Sequence, residues 1–435
     1  MTVSSIITSS SSPSTALFSI LGGQQASQPS QAQLLSQAVL SDNDSPIFSA
    51  LSDNEQTSNQ SLALFAMAGG TKEDQAGNYQ GAAQDFTLSI SYNPSQSNVV
   101  TAENLIGTAD IEDNNTAGAI NAYKSSIAAD SQNDATYVSL GNIYFSQKNY
   151  TDAEKNYATA VSLIPTSSKD LYSLGQAYLS EGKYQDAENT FNKVISLNPT
   201  DESGYYALGQ TYSKEGKYNN AIEEFNKVIT IAPSFYTVHV DLGEAYANLD
   251  QTNNANAQLD IVQANDPNDA SLLSNYIDSV TKPQIIAAYG DASNGFNTNL
   301  GPNTQVSSLS PSLATPNGSQ LFFMEFVFSK DMNPTSVQNP CNWSISKAQY
   351  NTPGGAYNWG VPTNSTDVQV APIPVSVEYD TSSHTATVSF LVEQNSTDNG
   401  TTDPSHITFK FNGKDVYGNN MNPSKDQYDG VSQIV

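Results

Sequence analysis

The chain has 435 residues, 16 basic and 43 acidic side chains, and a net charge of -27; every basic residue is a lysine. A chain this acidic is repelled by nucleic acid and by anionic membrane surfaces. Without arginine it also lacks the planar fork that grips carboxylates and phosphates. Three histidines far apart in sequence (His239, His384, His406) leave little for metal or acid–base chemistry. A single cysteine, Cys341, excludes an intrachain disulfide and a cysteine-type zinc site. No metal, cofactor or small-molecule substrate is therefore expected. There is no run of about 18 apolar residues, so no membrane-spanning helix is expected.

Residues 1–41 carry no charge; the first charged side chain is Asp42. The opening lacks a basic segment followed by a continuous apolar run, so a secretory signal is not expected. Either the protein stays in the cytoplasm or it leaves by a route that needs no such signal. Residues 1–15 read as an uncharged, β-prone end, in which Thr2, Val3, Ile6, Ile7 and Thr8 could add as a strand to a sheet edge. In 16–62, apolar residues at helical spacing (Leu17, Phe18, Leu21; Leu34, Leu35, Ala38, Val39) predict short helices that form an N-terminal cap.

From residue 137 one pattern repeats. Tyr137, Leu140, Gly141, Tyr144, Ala153, Tyr157, Ala160 and Pro165 return 34 residues later as Leu171, Leu174, Gly175, Tyr178, Ala187, Phe191, Val194 and Pro199. A third copy runs from Tyr205 to Pro233 and a fourth from His239 to Pro267. Two weaker units, 63–96 and 100–133, precede them. The Leu-Gly-Tyr set lies along one helix, and the Ala–aromatic–Val set along a second. Proline then closes each unit.

This period and pattern resemble the tetratricopeptide repeat. The resemblance implies an all-α solenoid over 63–269, with 270–282 as capping helix and linker. It also implies a concave, protein-binding face bearing Val138, Asn142, Tyr172, Gln176, Tyr206, Gln210, Val240 and Glu244. Family members that bind chaperone tails hold a carboxylate there with lysine and arginine. Tyrosines and amides at these positions suit side-chain hydrogen bonds and stacking instead.

Past Lys282 the helical period stops. Stretches 284–289, 320–328, 342–346, 367–378, 384–392 and 405–412 read as strands between Gly, Pro and Asn turns, which predicts an all-β sandwich over 283–435. Two motifs, Phe328-Ser-Lys-Asp-Met-Asn-Pro-Thr-Ser-Val337 with Asn342-Trp343, and Asp415-Val-Tyr-Gly-Asn419 with Met421, resemble bacterial Ig-like domains of the S-layer type. That likeness implies a non-catalytic module at a cell surface. Loops 290–318 and 349–365 exceed the family pattern and are candidate contact surfaces. Cys341, beside Trp343, is expected to be buried; the acidic sets of Asp110, Glu112 and Asp113 and of Asp415, Asp426 and Asp429 are expected to be solvated surface, with calcium binding through their oxygens the alternative.

Catalytic motifs such as G-x-S-x-G, a P-loop or H-E-x-x-H do not occur in the sequence. The expectation is a non-enzymatic extracellular structural protein that self-associates, into a filament or surface assembly, through the N-terminal segment, the repeat groove and the Ig-like domain. The alternative is a monomeric adaptor whose repeats bind a heterologous peptide or protein.

Overall fold

The computed structural model describes residues 55–290, 296–349 and 355–429. The expected assembly segment (Thr2, Val3, Ile6, Ile7, Thr8) and most of the expected N-terminal cap lie outside the described residues. A helical repeat array over 59–280 is followed by a β-sheet region over 285–428. The chain divides into two compact units, one ending at Phe235 and the other beginning at Tyr236.

The first unit contains ten described helices: α1 (Glu55–Gln75), α2 (Tyr79–Tyr92), α3 (Gln96–Glu112), α4 (Thr116–Ala129), α5 (Asp134–Ser146), α6 (Tyr150–Leu163), α7 (Ser168–Ser180), α8 (Tyr184–Leu197), α9 (Glu202–Glu215) and α10 (Tyr218–Ile231). They pack as successive pairs, and the two weak sequence units are the pairs α1–α2 and α3–α4. The contact that closes each pair is a glycine beneath an aromatic ring. A Cβ on Gly175 would lie 2.5 Å from Phe191, one on Gly209 2.5 Å from Phe225, and one on Gly141 2.6 Å from Tyr157. Gly107 meets Tyr123 and Gly70 meets Phe86 in the same way. Phe191, Phe225, Tyr157 and Phe86 are almost fully enclosed; each such ring contributes roughly 1.5–3 kcal/mol by leaving water.

Between the helices of each pair the chain turns through one left-handed residue. These are Gly77, Asn114, Lys148, Gly182 and Gly216, with φ between 60° and 82°. Asn78, Asn115 and Asn149 then cap the second helix, each side-chain oxygen accepting from the backbone N–H three residues on.

The second unit opens with α11 (Thr237–Asn248), α12 (Thr252–Asn265) and α13 (Pro267–Val280). Here Leu259 takes the aromatic position, and Gly243 instead admits Leu273 of α13, 2.9 Å from where a Cβ would stand. The capping helix expected over 270–281 is α13. Asp266 caps it by accepting from the N–H groups of Asn268 and Asp269, with Pro267 in the first turn.

Next come β1 (Ile285–Gly290), β2 (Thr304–Gln305), β3 (Ser319–Phe328), a one-turn helix α14 (Pro334–Val337), β4 (Trp343–Lys347), β5 (Ser376–Asp380), β6 (Thr385–Glu393), β7 (Thr401–Thr402), β8 (Ile407–Phe411) and β9 (Gln427–Asp429). One antiparallel sheet has the order β1-β3-β6-β5, a second has β4-β8-β9, and β2 pairs with β7. Alternate residues of the two larger sheets meet in a single core: Met324, Phe326 and Phe328 from β3, Val388 and Phe390 from β6, Trp343 from β4, and Phe409 and Phe411 from β8. The Trp343 and Phe411 ring centroids are 4.6 Å apart, and the Trp343 Nε1–H donates to the Val337 carbonyl at 2.8 Å.

Three expectations are corrected. The strand read over 367–378 is ordered as a ladder only from Ser376; Pro372 and Pro374 lack the N–H a continuous strand needs. Cys341 is exposed, because it sits on a short turn that holds Trp343, not itself, in the core. Asp415 and Asp426 are buried rather than solvated, because each meets a lysine: Lys330 at 3.0 Å and Lys410 at 3.2 Å.

Lys330 joins the β region to the end of α13. Its buried ammonium donates to the Asp278 carbonyl, to the Thr281 carbonyl at 2.5 Å and to Asp415 Oδ2. Asn419 adds a bond from Nδ2 to the Ser279 carbonyl at 2.8 Å. Both residues come from the two sequence motifs, which the bridge between Met332 and Asp415 brings side by side. Orphan carbonyls at a helix end are thus satisfied by a cation, which also suits the helix dipole.

Two outcomes are expected in chemical denaturation. Gly175→Val forces three carbons into a space already filled by Phe191 and lowers stability by about 2–3 kcal/mol; an unchanged midpoint would contradict the close-approach account. Lys330→Met leaves Asp415 buried without its cation and lowers stability of the second unit by about 3–5 kcal/mol. Retention of wild-type stability would show that the lysine is not a clamp.

Candidate protein-interaction site

The eight concave-face positions fall on the first helix of each repeat, and none of them is fully exposed. Val138 is buried among Ala153, Tyr157, Leu174 and Ala177. Asn142, half-buried, accepts from the Tyr157 hydroxyl at 2.7 Å. Tyr172 is buried against Phe191, centroids 5.7 Å apart, and its hydroxyl accepts from the Gln176 amide at 3.1 Å. Burial raises the Tyr172 phenol pKa, and the Gln176 amide lowers it by a smaller amount. Tyr206 stacks at 6.0 Å on Phe225 and edge-on at 4.9 Å to Phe235, while Gln210 is half-buried. In the second unit, Val240 packs against the cluster that includes Ala247 and Leu273, and Glu244 is half-buried.

The polar tips of these residues are therefore already engaged with their neighbours. Asn142 and Gln176 hold tyrosines in place, so a ligand at these positions meets the edges of oriented side chains. Next to Tyr172, burial raises the carboxyl pKa of Asp170, whose Oδ2 makes no hydrogen bond.

Three lysines of the repeats, Lys183, Lys217 and Lys227, pair with nearby glutamates. Lys183 bridges Glu154 and Glu181 at 2.5 and 2.6 Å and lies over the Tyr178 ring. Lys217, 34 residues on, pairs with Glu215 at 2.9 Å and lies over Tyr212. Burial, then the Glu188 carboxylate, push the Tyr212 phenol up to about 12. These pairs are solvent-exposed, so water and salt screen them and they add little to stability.

The sequence pattern did not disclose the construction of the 349–365 loop. Asp403, Ser405 and His406 form a buried cluster, with His406 Nδ1 at 2.7 Å from Asp403 and 2.9 Å from Ser405 Oγ. Both partners crowd one ring nitrogen, which is not the relay a nucleophilic serine requires. Asp403 instead accepts from the backbone N–H of Asn358 at 2.7 Å, and Tyr357 donates to Asp367 at 2.5 Å. This frame holds Asn358 and Trp359 at φ 52° and 54°, a costly conformation for residues other than glycine. It leaves Trp359 76% exposed. The only advance signal was the bare Asn-Trp-Gly run. Among the described residues no group of three or more His, Cys, Asp and Glu could hold a metal, and no helix is long and apolar enough to cross a membrane.

Sequence profiles for the tetratricopeptide repeat match residues 104–168 and 203–235, and a profile described as TPR repeat matches 175–216. No curated protein matches the chain. Among solved structures, a tetratricopeptide repeat protein from Parabacteroides merdae is 17% identical over 50% of this chain and 86% of its own, with a TM-score of 0.45. A structure of MamA is 30% identical over 38% of this chain and 97% of its own, with a TM-score of 0.36. The protein YrrB, described as a TPR protein with an unusual peptide-binding site, is 18% identical over 45% of this chain and 96% of its own, with a TM-score of 0.38. The 34-residue period, the glycine–aromatic helix pairs and the profile matches identify the chain as a tetratricopeptide repeat protein, whose repeats mediate protein–protein interaction.

Proposed function

We propose that the chain is a non-enzymatic extracellular structural protein whose copies associate, with the β region serving as an Ig-like module. The observation that carries this reading is the strand order. The sheets β1-β3-β6-β5 and β4-β8-β9 correspond, in chain order, to A-B-E-D and C-F-G of a seven-stranded immunoglobulin sandwich. Trp343 lies on the strand equivalent to C, against Phe326 on the B equivalent and Phe411 on the F equivalent. Aromatic rings thus fill the place where antibody domains carry a disulfide. The two motifs that resemble S-layer-type Ig domains form the paired loops around Lys330 and Asp415.

Charge limits how copies can meet. Each carries -27, so like-charged surfaces keep them apart. Contact is left to uncharged elements: residues 1–41, the tyrosine–amide positions of the repeats and the Trp359 loop. Head-to-tail contact between unlike surfaces propagates into filaments when it does not close.

Size-exclusion chromatography and negative-stain microscopy test the reading. The full chain is expected to form polymers, and a chain lacking residues 1–15 to run as a monomer. A truncated chain that polymerises normally removes the N-terminal segment from the account. A full chain that stays monomeric favours the adaptor that binds a heterologous peptide.

A further inference from the structure

We infer that the edge of β1 left unpaired among the described residues is an acceptor for residues 2–8 of a second copy, added as an extra strand to the four-stranded sheet. This rests on the self-association proposed above and names the surface that receives the segment.

Four strands end the two larger sheets: β1, β5, β4 and β9. Proteins guard such edges with charge, proline or shortness, because an exposed edge invites pairing. Three of the four are guarded. β5 carries Glu378 and Asp380 and follows Pro372 and Pro374. β4 carries Lys347, and its Ile345 N–H is taken by the Pro372 carbonyl at 2.8 Å. β9 is three residues long and ends at Asp429.

β1 reads Ile-Ile-Ala-Ala-Tyr-Gly, with neither charge nor proline. Ile285 is tied to the Lys425 carbonyl at 2.9 Å, and a bulge follows. Beyond it, Ala287 to Gly290 pair regularly with Val327 to Met324, and among the described residues nothing pairs on the other side. Ile286 and Tyr289 are 48% and 57% exposed. Ala288 packs against the core yet is only half-buried, so a single methyl group closes the core at this margin.

The occupant follows from charge and pattern. In a chain of -27, residues 2–8 (Thr-Val-Ser-Ser-Ile-Ile-Thr) are uncharged and free of proline and glycine. Branched residues suit a pleated strand, and Ile6 or Ile7 would cover the core margin beside Ala288. The regular edge from Ala287 to Gly290 spans about 14 Å, within reach of a seven-residue strand. Main-chain hydrogen bonds give such a contact its strength, and alternate side chains its register.

The test uses full-length chains in a Cys341→Ser background. One preparation carries Ile7→Cys, the other Tyr289→Cys, and the two are mixed and oxidised. Covalent heterodimers are expected at least tenfold above those from Ile7→Cys mixed with Glu378→Cys, which reports the guarded edge. Equal yields overturn the inference. In a second arm, Ile286→Asp with Tyr289→Asp, both at exposed positions, is expected to keep the wild-type thermal midpoint and to lose assembly. If wild type assembles and this variant assembles equally, the β1 acceptor falls while self-association stands. If wild type itself is monomeric, the self-association reading falls, and this inference with it.

Discussion

An aromatic ring pressed onto a bare backbone recurs in the first unit, and the structure of each repeat follows from it. Glycine at one position of the first helix leaves a hollow, and Tyr123, Tyr157, Phe191 or Phe225 on the second helix fills it. Because only 14% of residues are charged, ion pairs cannot set the helix spacing, and enclosed rings do so instead. The rule extends to the β region, where Phe326, Phe328, Trp343, Phe409 and Phe411 interlock between the sheets. Where the ring is missing, at Leu259, a leucine from the capping helix fills the hollow of Gly243, and the repeat pattern gives way to the β region.

The helical part was legible in the sequence because its signal is periodic. Leu, Gly, Tyr and Pro return at fixed spacing, so one copy validates another, and even the weak units form the pairs α1–α2 and α3–α4. In the β region the stretches read over 284–289, 320–328, 342–346, 384–392 and 405–412 correspond to β1, β3, β4, β6 and β8. Residues 367–375 alternate, but Pro372 and Pro374 deny them a ladder, and β9 is too short to show a period. Local pattern also failed for Asp415 and Asp426. A carboxylate is buried when a lysine reaches it, and Lys330 lies 85 residues from Asp415. The positions read as concave lie on helices, and the partners of Asn142 and Tyr172, which are Tyr157 and Phe191, come from the neighbouring helix.

Several buried or half-buried polar side chains fix the position of their neighbours. Lys330 caps a helix, Asp403 holds a strained loop, and Asn142 and Gln176 orient tyrosines. In the β region the prominent uncharged features are Trp359 and the β1 edge, and in the sequence the segment before Asp42 carries no charge. Under the proposed function, a strongly acidic surface and a few uncharged contact elements are complementary: repulsion suppresses random encounters, and only matched elements join.

Under the proposed function, copies meet through uncharged surfaces despite mutual repulsion. Light-scattering mass of the full chain against salt concentration distinguishes this from association through ion pairs. Raising ionic strength from about 0.01 to 0.15 M shortens the screening length from roughly 30 to 8 Å, and the mass is predicted to rise as repulsion is screened. A mass that falls with salt would show that ion pairs hold the copies together and would contradict the account.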